Sequence, residues 1–399
     1  MKLTRYAILL GGLAALGPFS IDTYFPSFAT MAGHFGVSEA DVQLTLSVYL
    51  TALAVMTLGH GPLSDAFGRR RVILAALALY TVTAVACALA PSFSFLLVAR
   101  ALQGLAGGAG VIVGRAIVRD VFEGPRAQKL MAQMVMVSGL APAAAPIVGG
   151  YLHAAFGWRA SFAFLALLGA ALATGSLLFL PETLAASDRR AIGPAPLARA
   201  YGRVALDPGF LALALSLALG IGGFLVYVAS AADFVPNVLG LGGTQYGWLF
   251  VPIVIGLISG SAVASRASER MRPSTMVAVG LTIMAAGAAV NMVLTTSPVP
   301  AVPWFVVPLP LYTFGFALQA PAVTIFALDL YPERRGLAAS VLSFVQTLVF
   351  ALIATFLVPR LFASGPGHAG AMVAFLAGTV LGWLGFLHRR RARRRPSTR

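Results

Sequence analysis

Two opposite charges, Asp22 and Arg100, each lie inside a long apolar run of this sequence. An ionised group in the bilayer core costs at least about 2.5–3.5 kcal/mol, so such residues are usually functional. Counted along helices, Asp22 lies about 9 Å and Arg100 about 10 Å below the same membrane edge. We therefore expect a facing pair whose carboxylate can gain and lose a proton. The alternative is a structural ion pair that only ties two helices together.

The sequence offers little for enzyme chemistry. Neither lysine, Lys2 nor Lys129, follows a glycine, so there is no phosphate-binding loop for ATP. All five histidines fall at the ends of predicted helices or in loops, without a zinc-binding pair. The single cysteine, Cys87, lies in an apolar run and excludes a disulfide framework. We expect no enzyme activity, no metal and no cofactor.

The elements that carry these residues are apolar helices. The 399-residue chain is 59 % hydrophobic and only 10 % charged, whereas soluble domains carry about 25 % charged residues. Runs of about 20 apolar residues can each cross a bilayer as a helix. Twelve segments are predicted, over residues 6–29, 41–61, 72–91, 93–118, 130–153, 160–181, 208–235, 245–265, 274–296, 303–328, 337–359 and 369–388.

The positive charge marks one membrane face. The formal net charge is +15, and 25 of the 28 basic residues fall on one side of the twelve segments. This bias predicts that both termini are cytoplasmic and excludes a nucleic-acid partner as its explanation. The basic tail, residues 389–399, is expected to contact anionic lipid headgroups. We expect a multi-pass monomer in a bacterial inner membrane.

A polar stretch divides the predicted helices six and six. We expect an amino-terminal bundle over 1–181, a cytoplasmic linker over 182–207 and a carboxyl-terminal bundle over 208–388. A weak internal repeat relates the halves, since residues 35–38 correspond to 239–242. The predicted fold is all-α, with two pseudo-symmetric six-helix bundles, an arrangement found in transporters.

The loop between the second and third segments has the strongest pattern, Gly61-Pro-Leu-Ser-Asp65-Ala-Phe-Gly68-Arg69-Arg70-Arg71. Its glycines predict a tight turn and close helix approach. Asp65 can form charge-assisted hydrogen bonds with the arginines and lock a cytoplasmic gate. A loop that is merely basic would explain the arginines but not the glycine and aspartate spacing.

This loop resembles the signature of the major facilitator superfamily, apart from Ala66, where the family usually has a basic residue. The pattern around Arg100, Gln103 and Gly104 resembles the superfamily's proton-coupling motif. Residues 139–150 are similar to its antiporter motif, apart from Ala145 where glycine is usual. The motif residues are Gly139, Pro142, Pro146, Gly149 and Gly150.

Residues 21–26, 114–120 and Trp158-Arg159 resemble the bicyclomycin/chloramphenicol-resistance branch of drug:proton antiporters. In the superfamily, helices 1, 4, 7 and 10 line a central cavity. The resemblance therefore implies substrate contacts from Tyr24, Gln103, Phe224, Tyr227, Phe314 and Gln319. Asp233, near the end of the seventh helix, is either a solvated interfacial group or a residue of the outer vestibule.

The resemblance implies a transporter that exports small amphipathic drugs, such as chloramphenicol-like or bicyclomycin-like compounds, in exchange for protons. Its partners would be those drugs and protons. The main alternative is a proton symporter that imports a small metabolite, and the antiporter motif argues against it. An intramembrane enzyme is a further alternative, for which the sequence supplies no nucleophile and base at membrane depth.

Overall fold

The computed structural model describes residues 2–189, 193–298 and 300–394. Within these residues, twelve helical stretches are long and apolar enough to cross a membrane. The predicted all-α, twelve-span fold class is thus confirmed. Residues 190–192 of the predicted linker and residues 395–399 of the predicted basic tail lie outside the described residues.

The chain divides into two compact units, and the first comprises Met1–Gly193 and Leu241–Gly247. Its described residues form six membrane spans. The helices are α1 (Lys2–Asp22), α2 (Phe28–Phe35), α3 (Glu39–Phe67), α4 (Arg69–Ala88), α5 (Phe93–Gly107), α6 (Ala109–Val121), α7 (Gly124–Phe156) and α8 (Arg159–Phe179). Helix α1 packs on α7, α3 on α5, and α4 on both α5 and α8.

The first span is broken where the sequence reads Asp22-Thr-Tyr-Phe-Pro-Ser27. Helix α1 ends at Asp22, a short 3-10 helix covers Phe25–Ser27, and α2 then continues to Phe35. Pro26 has no backbone N–H to donate, which favours an interruption of the regular helix. The break places Asp22 at a helix end rather than in a helix interior.

Helix α3 begins with a capping box and is longer than predicted. The Ser38 hydroxyl accepts from the backbone N–H of Asp41, and the Asp41 carboxylate accepts from the Ser38 N–H. The helix then continues to Phe67, six residues beyond the predicted end at residue 61. His60 therefore lies inside a helix, where it is 2 % exposed, and not at a helix end as the sequence predicted.

The second unit comprises Pro194–Gly240 and Trp248–Arg399. Its described helices are α9 (Pro194–Ala205), α10 (Pro208–Ala229), α11 (Ala231–Asp233), α12 (Gly247–Ala267), α13 (Pro273–Thr296), α14 (Ala301–Trp304), α15 (Leu309–Leu328), α16 (Arg335–Leu352), α17 (Val358–Leu361) and α18 (Gly365–Arg394). Short π-helices continue α11 over Phe234–Val238 and join α16 to α17 over Ile353–Leu357. Helix α10 packs against α15, α16 and α18, and α13 packs against α15 and α18.

Two local features extend the sequence interpretation. The predicted linker contains a helix, α9, which packs on α16. The internal repeat has a shared backbone feature, because Gly36 and Gly240 both adopt left-handed conformations, with φ of 66° and 68°. Glycine adopts this conformation without the steric cost that a Cβ would bring. The repeat therefore marks the same turn in both units.

Candidate functional site

Arg100 is buried in the first unit and is 0 % exposed. Its Nη1 donates to the Gln103 side-chain oxygen at 2.6 Å. Its Nη2 donates to the Ser20 carbonyl at 3.1 Å and to the Tyr24 hydroxyl at 3.2 Å. Both Nη groups of this buried cation thus donate to neutral acceptors, which lie on α1, on the break after α1 and on α5 itself.

Three aromatic rings complete the surroundings of Arg100. The guanidinium carbon lies 4.4 Å from the centre of the Tyr49 ring, 4.6 Å from Tyr24 and 5.9 Å from Phe162. We call these three rings the aromatic cage. Cation–π attraction is strongest where water is excluded. A cation can therefore persist here without a bound carboxylate.

The position of Tyr49 depends on glycines of α5. A methyl group added at Gly107 would lie 2.3 Å from the Tyr49 hydroxyl, and one added at Gly104 would lie 2.3 Å from the Tyr49 carbonyl oxygen. These contacts are too short for any Cβ, so glycine at both positions allows α3 to approach α5. Tyr49 was not among the predicted site residues, because its spacing from the apolar residues of α3 does not distinguish it from a core residue.

Asp22 does not form the predicted ion pair with Arg100. Among the described residues, the ion pairs within 4.0 Å do not include either residue. Asp22 is 2 % exposed, and its Oδ1 has no hydrogen-bond partner in the described part of the chain. The expected facing pair is therefore corrected: Arg100 binds the Ser20 carbonyl, because the last turn of α1 presents that carbonyl to the guanidinium. The two Nη groups are taken by neutral acceptors, and Nε has no hydrogen-bond partner in the described part of the chain.

The predicted antiporter motif packs on the break in the first span. All five of its predicted residues lie in the continuous helix α7, which contains both Pro142 and Pro146. A methyl group at Gly149, next to Gly150, would lie 1.7 Å from the Thr23 carbonyl oxygen. Gly139 differs, because nothing lies within 4 Å of the corresponding position. The contact with Thr23 therefore requires glycine at position 149, whereas the space around Gly139 does not require it.

The predicted signature loop forms a cluster around Arg69, which is 8 % exposed. Arg69 contacts Asp65 at 2.5 Å and Asp120 of α6 at 3.1 Å, and it donates to the Ser64 hydroxyl at 2.6 Å. Arg70 instead donates to the Leu177 carbonyl at 2.8 Å. The cluster joins the ends of α3, α4, α6 and α8.

The turn itself depends on Gly68 and not on Gly61. Gly68 has a φ of 99°, and an added methyl group would lie 2.3 Å from a Glu182 carboxylate oxygen. Gly61 lies within α3, and nothing is within 4 Å of the place where its Cβ would be. The predicted tight-turn role is therefore wrong for Gly61, because the helix continues through it to Phe67.

Glu182, at the start of the predicted linker, was not among the predicted site residues. Its carboxylate accepts from the backbone N–H of Arg69 at 2.8 Å, at the amino terminus of α4. Thr183, its neighbour, donates to Asp120 at 3.0 Å. One indication was available in the sequence, since acidic residues total only 13 in this chain.

Most residues predicted to contact a substrate are buried within their own unit. Tyr24 and Gln103 are 0 % exposed and bound to Arg100. Tyr227 is buried and accepts a hydrogen bond from Asn291. Phe224 packs on Phe316. Gln319 is buried, and its Nε2 contacts the Met284 sulfur. Phe314 is half-buried. Substrate contact remains a prediction for all six.

Asp233 is not the solvated interfacial group that its position suggested. It is 2 % exposed. One carboxylate oxygen accepts from the Asn237 amide at 2.8 Å, and the other accepts from the Ala363 N–H at 2.8 Å. The carboxylate thus ties the end of the seventh span to the turn before α18, and its place in a vestibule remains a prediction.

The fold and this site describe a polytopic helical membrane protein whose first unit buries Asp22 and Arg100 within its spans. A family model described as the Major Facilitator Superfamily matches residues 10–354. The chain belongs to the major facilitator superfamily, whose members are transporters and not enzymes.

Relatives agree with the resemblance found in the motifs. An uncharacterized MFS-type transporter, YdgK of Bacillus subtilis, is 30 % identical over 351 residues, 87 % of each chain. A bicyclomycin resistance protein homolog of Haemophilus influenzae is 30 % identical over 278 residues, 70 % of each chain. Multidrug resistance protein D of Escherichia coli is 28 % identical over 380 residues, 94 % of each chain.

A solved structure has the same fold. A bacterial homolog of the human lysosomal transporter Spinster, in an inward-facing and unoccupied conformation, superposes with a TM-score of 0.74 at 16 % identity. The match covers 98 % of this chain and 97 % of that one. At this identity the likeness concerns the fold alone.

Proposed function

We propose that this protein exports small amphipathic drugs, of the chloramphenicol or bicyclomycin kind, in exchange for protons. The observation that carries the proposal is the environment of Asp22. This carboxylate is buried, and its Oδ1 lacks a donor in the described part of the chain. A buried carboxylate without a paired cation is costly when ionised and can be neutralised by a proton. Such a group suits a step that binds and releases one proton.

The surroundings of Asp22 suggest how the proton and drug could be coupled. The Ser20 carbonyl binds Arg100, and the Thr23 carbonyl lies against Gly149 of α7. A charge change at Asp22 would therefore act on backbone that contacts both α5 and α7. In the proposed cycle, a proton from outside loads Asp22, and a drug from the cytoplasmic side competes with that proton through the Arg100 site.

Alternating access would expose this site to the two sides in turn. We infer that the six-helix bundles, residues 1–181 and 208–388, move as near-rigid bodies joined by the 182–207 linker. The Arg69 cluster would close the cytoplasmic face when its ion pairs are made. The positive-inside bias supports cytoplasmic termini in a bacterial inner membrane, with the basic end of the chain near anionic headgroups.

A susceptibility panel tests the drug-export proposal. Wild type and Asp22→Asn would be expressed at equal levels in a pump-deficient bacterial host and exposed to amphipathic antibiotics. We expect wild type to raise the inhibitory concentration of at least one compound and Asp22→Asn to lose that protection. Asp329→Asn is the matched control, because Asp329 is in an exposed ion pair with Arg335. Equal protection by Asp22→Asn and wild type would refute the role of Asp22.

Export and import can be separated by the direction of coupling. Right-side-out and inverted vesicles with an imposed pH gradient would be loaded with a compound found by the panel. Antiport predicts that drug and protons cross in opposite directions. Movement of both in the same direction would instead support the symporter alternative.

A further inference from the structure

A cavity in the first unit lies apart from Asp22 and Arg100. It is a partly open groove lined by α3, α4 and α5, with a volume of about 510 Å³. Drug-sized ligands usually bind in pockets of roughly 300–1,000 Å³, which have apolar walls and a few polar groups that orient the ligand. We call it the α3–α5 cavity. Its apolar walls include Met56, Leu63, Ala75, Ala76, Leu105 and Ala106.

One imidazole in the lining of this cavity has a ring nitrogen without a partner. His60 lines the cavity and is 2 % exposed. Its Nδ1 has no hydrogen-bond partner in the described part of the chain. Buried polar atoms in native proteins are nearly always hydrogen-bonded, so an unpaired one calls for an explanation. A ligand with a hydrogen-bonding group at this depth would supply the missing bond.

The side chain of Arg71 supplies a positive charge at the end of the cavity nearest the start of α4. Arg71 lines it, and in the described ranges this arginine makes no ion pair or hydrogen bond. Its two neighbours are engaged, Arg69 with carboxylates and Arg70 with the Leu177 carbonyl. None of the residues that line the cavity is acidic. The charge of the cavity therefore favours an anionic ligand.

The two polar groups are separated along the helices. His60 is seven residues before the end of α3 at Phe67, or about 10 Å at 1.5 Å per residue. Arg71 is two residues after the start of α4 at Arg69, or about 3 Å. A ligand that meets both must place its polar groups roughly 7 Å apart. Two linked aromatic rings span this distance, and the rings of His60 and Phe67 offer stacking surfaces.

We propose that the α3–α5 cavity is a second small-molecule site that binds an amphipathic aromatic weak acid. Its anionic group pairs with Arg71, its rings lie on the apolar walls, and a second polar group bonds to Nδ1 of His60. A phospholipid acyl chain fits this pattern less well, because it carries no polar group at the depth of His60. The site shares no residue with the proposed proton and drug path, so either proposal can hold without the other.

Photolabelling of the purified full-length protein with 4-benzoylbenzoate tests the site. This probe carries a carboxylate and a ketone on two linked rings, and irradiation attaches its ketone carbon to a nearby C–H bond. We expect saturable labelling that mass spectrometry locates on the α3 and α4 residues of the cavity. The uncharged methyl ester should need about 10-fold more probe for half-saturation, since a charge-assisted bond is lost.

Variants assign the two polar contacts. Arg71→Gln should raise the half-saturating concentration of the acid about 10-fold and leave the ester unchanged. His60→Phe should weaken both probes, and Ala76→Phe should block labelling by filling the cavity. Arg272→Gln, directly before α13 in the second unit, is the matched control and should bind as wild type does.

The outcome that overturns the proposal is equally specific. If acid and ester label wild type with the same half-saturating concentration, the cavity is a non-selective crevice filled by acyl chains. Labelling that persists unchanged in Ala76→Phe also overturns it. The acid and ester comparison uses wild type alone, so it stands even if the His60 variant does not fold.

Discussion

Arg100 donates a hydrogen bond from Nη2 to the backbone carbonyl of Ser20 at 3.1 Å. This bond connects a buried cation on α5 to the last turn of α1, two residues before Asp22. The carbonyls of a helix's last turn have no intrahelical partner and carry partial negative charge. The end of α1 thus provides an acceptor for Arg100 while Asp22 keeps a carboxylate oxygen without a donor.

Replacing Asp22 with asparagine should abolish coupled proton movement and leave the protein folded. Asparagine has nearly the same shape as aspartate, but its side-chain amide does not bind and release a proton at physiological pH. The measurement is drug-dependent recovery of a quenched pH dye in proteoliposomes, with size-exclusion profile and thermal unfolding as folding checks. Asp329→Asn should retain full dye recovery. A fully coupled Asp22→Asn variant would rule out this residue as the proton carrier.

Replacing Arg100 should impair both stability and transport, even with lysine. Lysine keeps the charge but not the planar group that donates to two sides and stacks on rings. Arg100→Gln leaves buried acceptors unpaired, at about 1–3 kcal/mol for each. We expect the midpoint of thermal unfolding to fall clearly in both variants.

The exposed ion pair of Arg335 and Asp329 supplies the comparison for Arg100. Exposed pairs contribute about 0–1 kcal/mol, and Arg335 is 60 % exposed in this pair. Arg335→Gln should therefore change the midpoint little. A similar loss in Arg335→Gln and Arg100→Gln would show that the buried network adds no stability.

Two glycines of the antiporter motif should respond oppositely to alanine. Gly149→Ala forces a methyl group to within 1.7 Å of the Thr23 carbonyl oxygen, and such overpacking costs about 3 kcal/mol or more. Gly139→Ala meets nothing within 4 Å and gains up to about 1 kcal/mol of helix propensity. Thermal unfolding of the two single variants checks the difference. Equal destabilisation would contradict the close contact between α7 and the break after α1.

Glu182→Ala should destabilise the first unit by about 1 kcal/mol through loss of a helix-capping bond. Its carboxylate accepts from the Arg69 N–H at the amino terminus of α4. Glu123→Ala is the matched control, because Glu123 precedes α7 without a side-chain capping bond. Denaturant or thermal unfolding distinguishes the two variants. No difference between them would mean that Glu182 contributes no net capping energy.

The membrane architecture could be predicted from the sequence. Apolar runs of about 20 residues must form helices in a bilayer, since every backbone polar group there needs an internal partner. That requirement is local, so counting residues predicted twelve spans, and the motifs of α3 and α7 indicated the family. The Asp65 and Arg69 contact was also predictable, since residues four apart share a helix face.

Only the tertiary structure decided which groups meet. Equal depth suggested that Asp22 and Arg100 pair, but the last turn of α1 supplied Arg100 with the Ser20 carbonyl instead. Glu182 accepts a hydrogen bond from the first residue of α4, 113 residues away in the sequence. Gly139 and Gly149 belong to the same motif, but only Gly149 lies against another part of the backbone. These outcomes depend on where helices break and how closely they pack, and neither is encoded in hydropathy. Sequence therefore determined the number and class of the helices, and packing determined the partners of the charges within them.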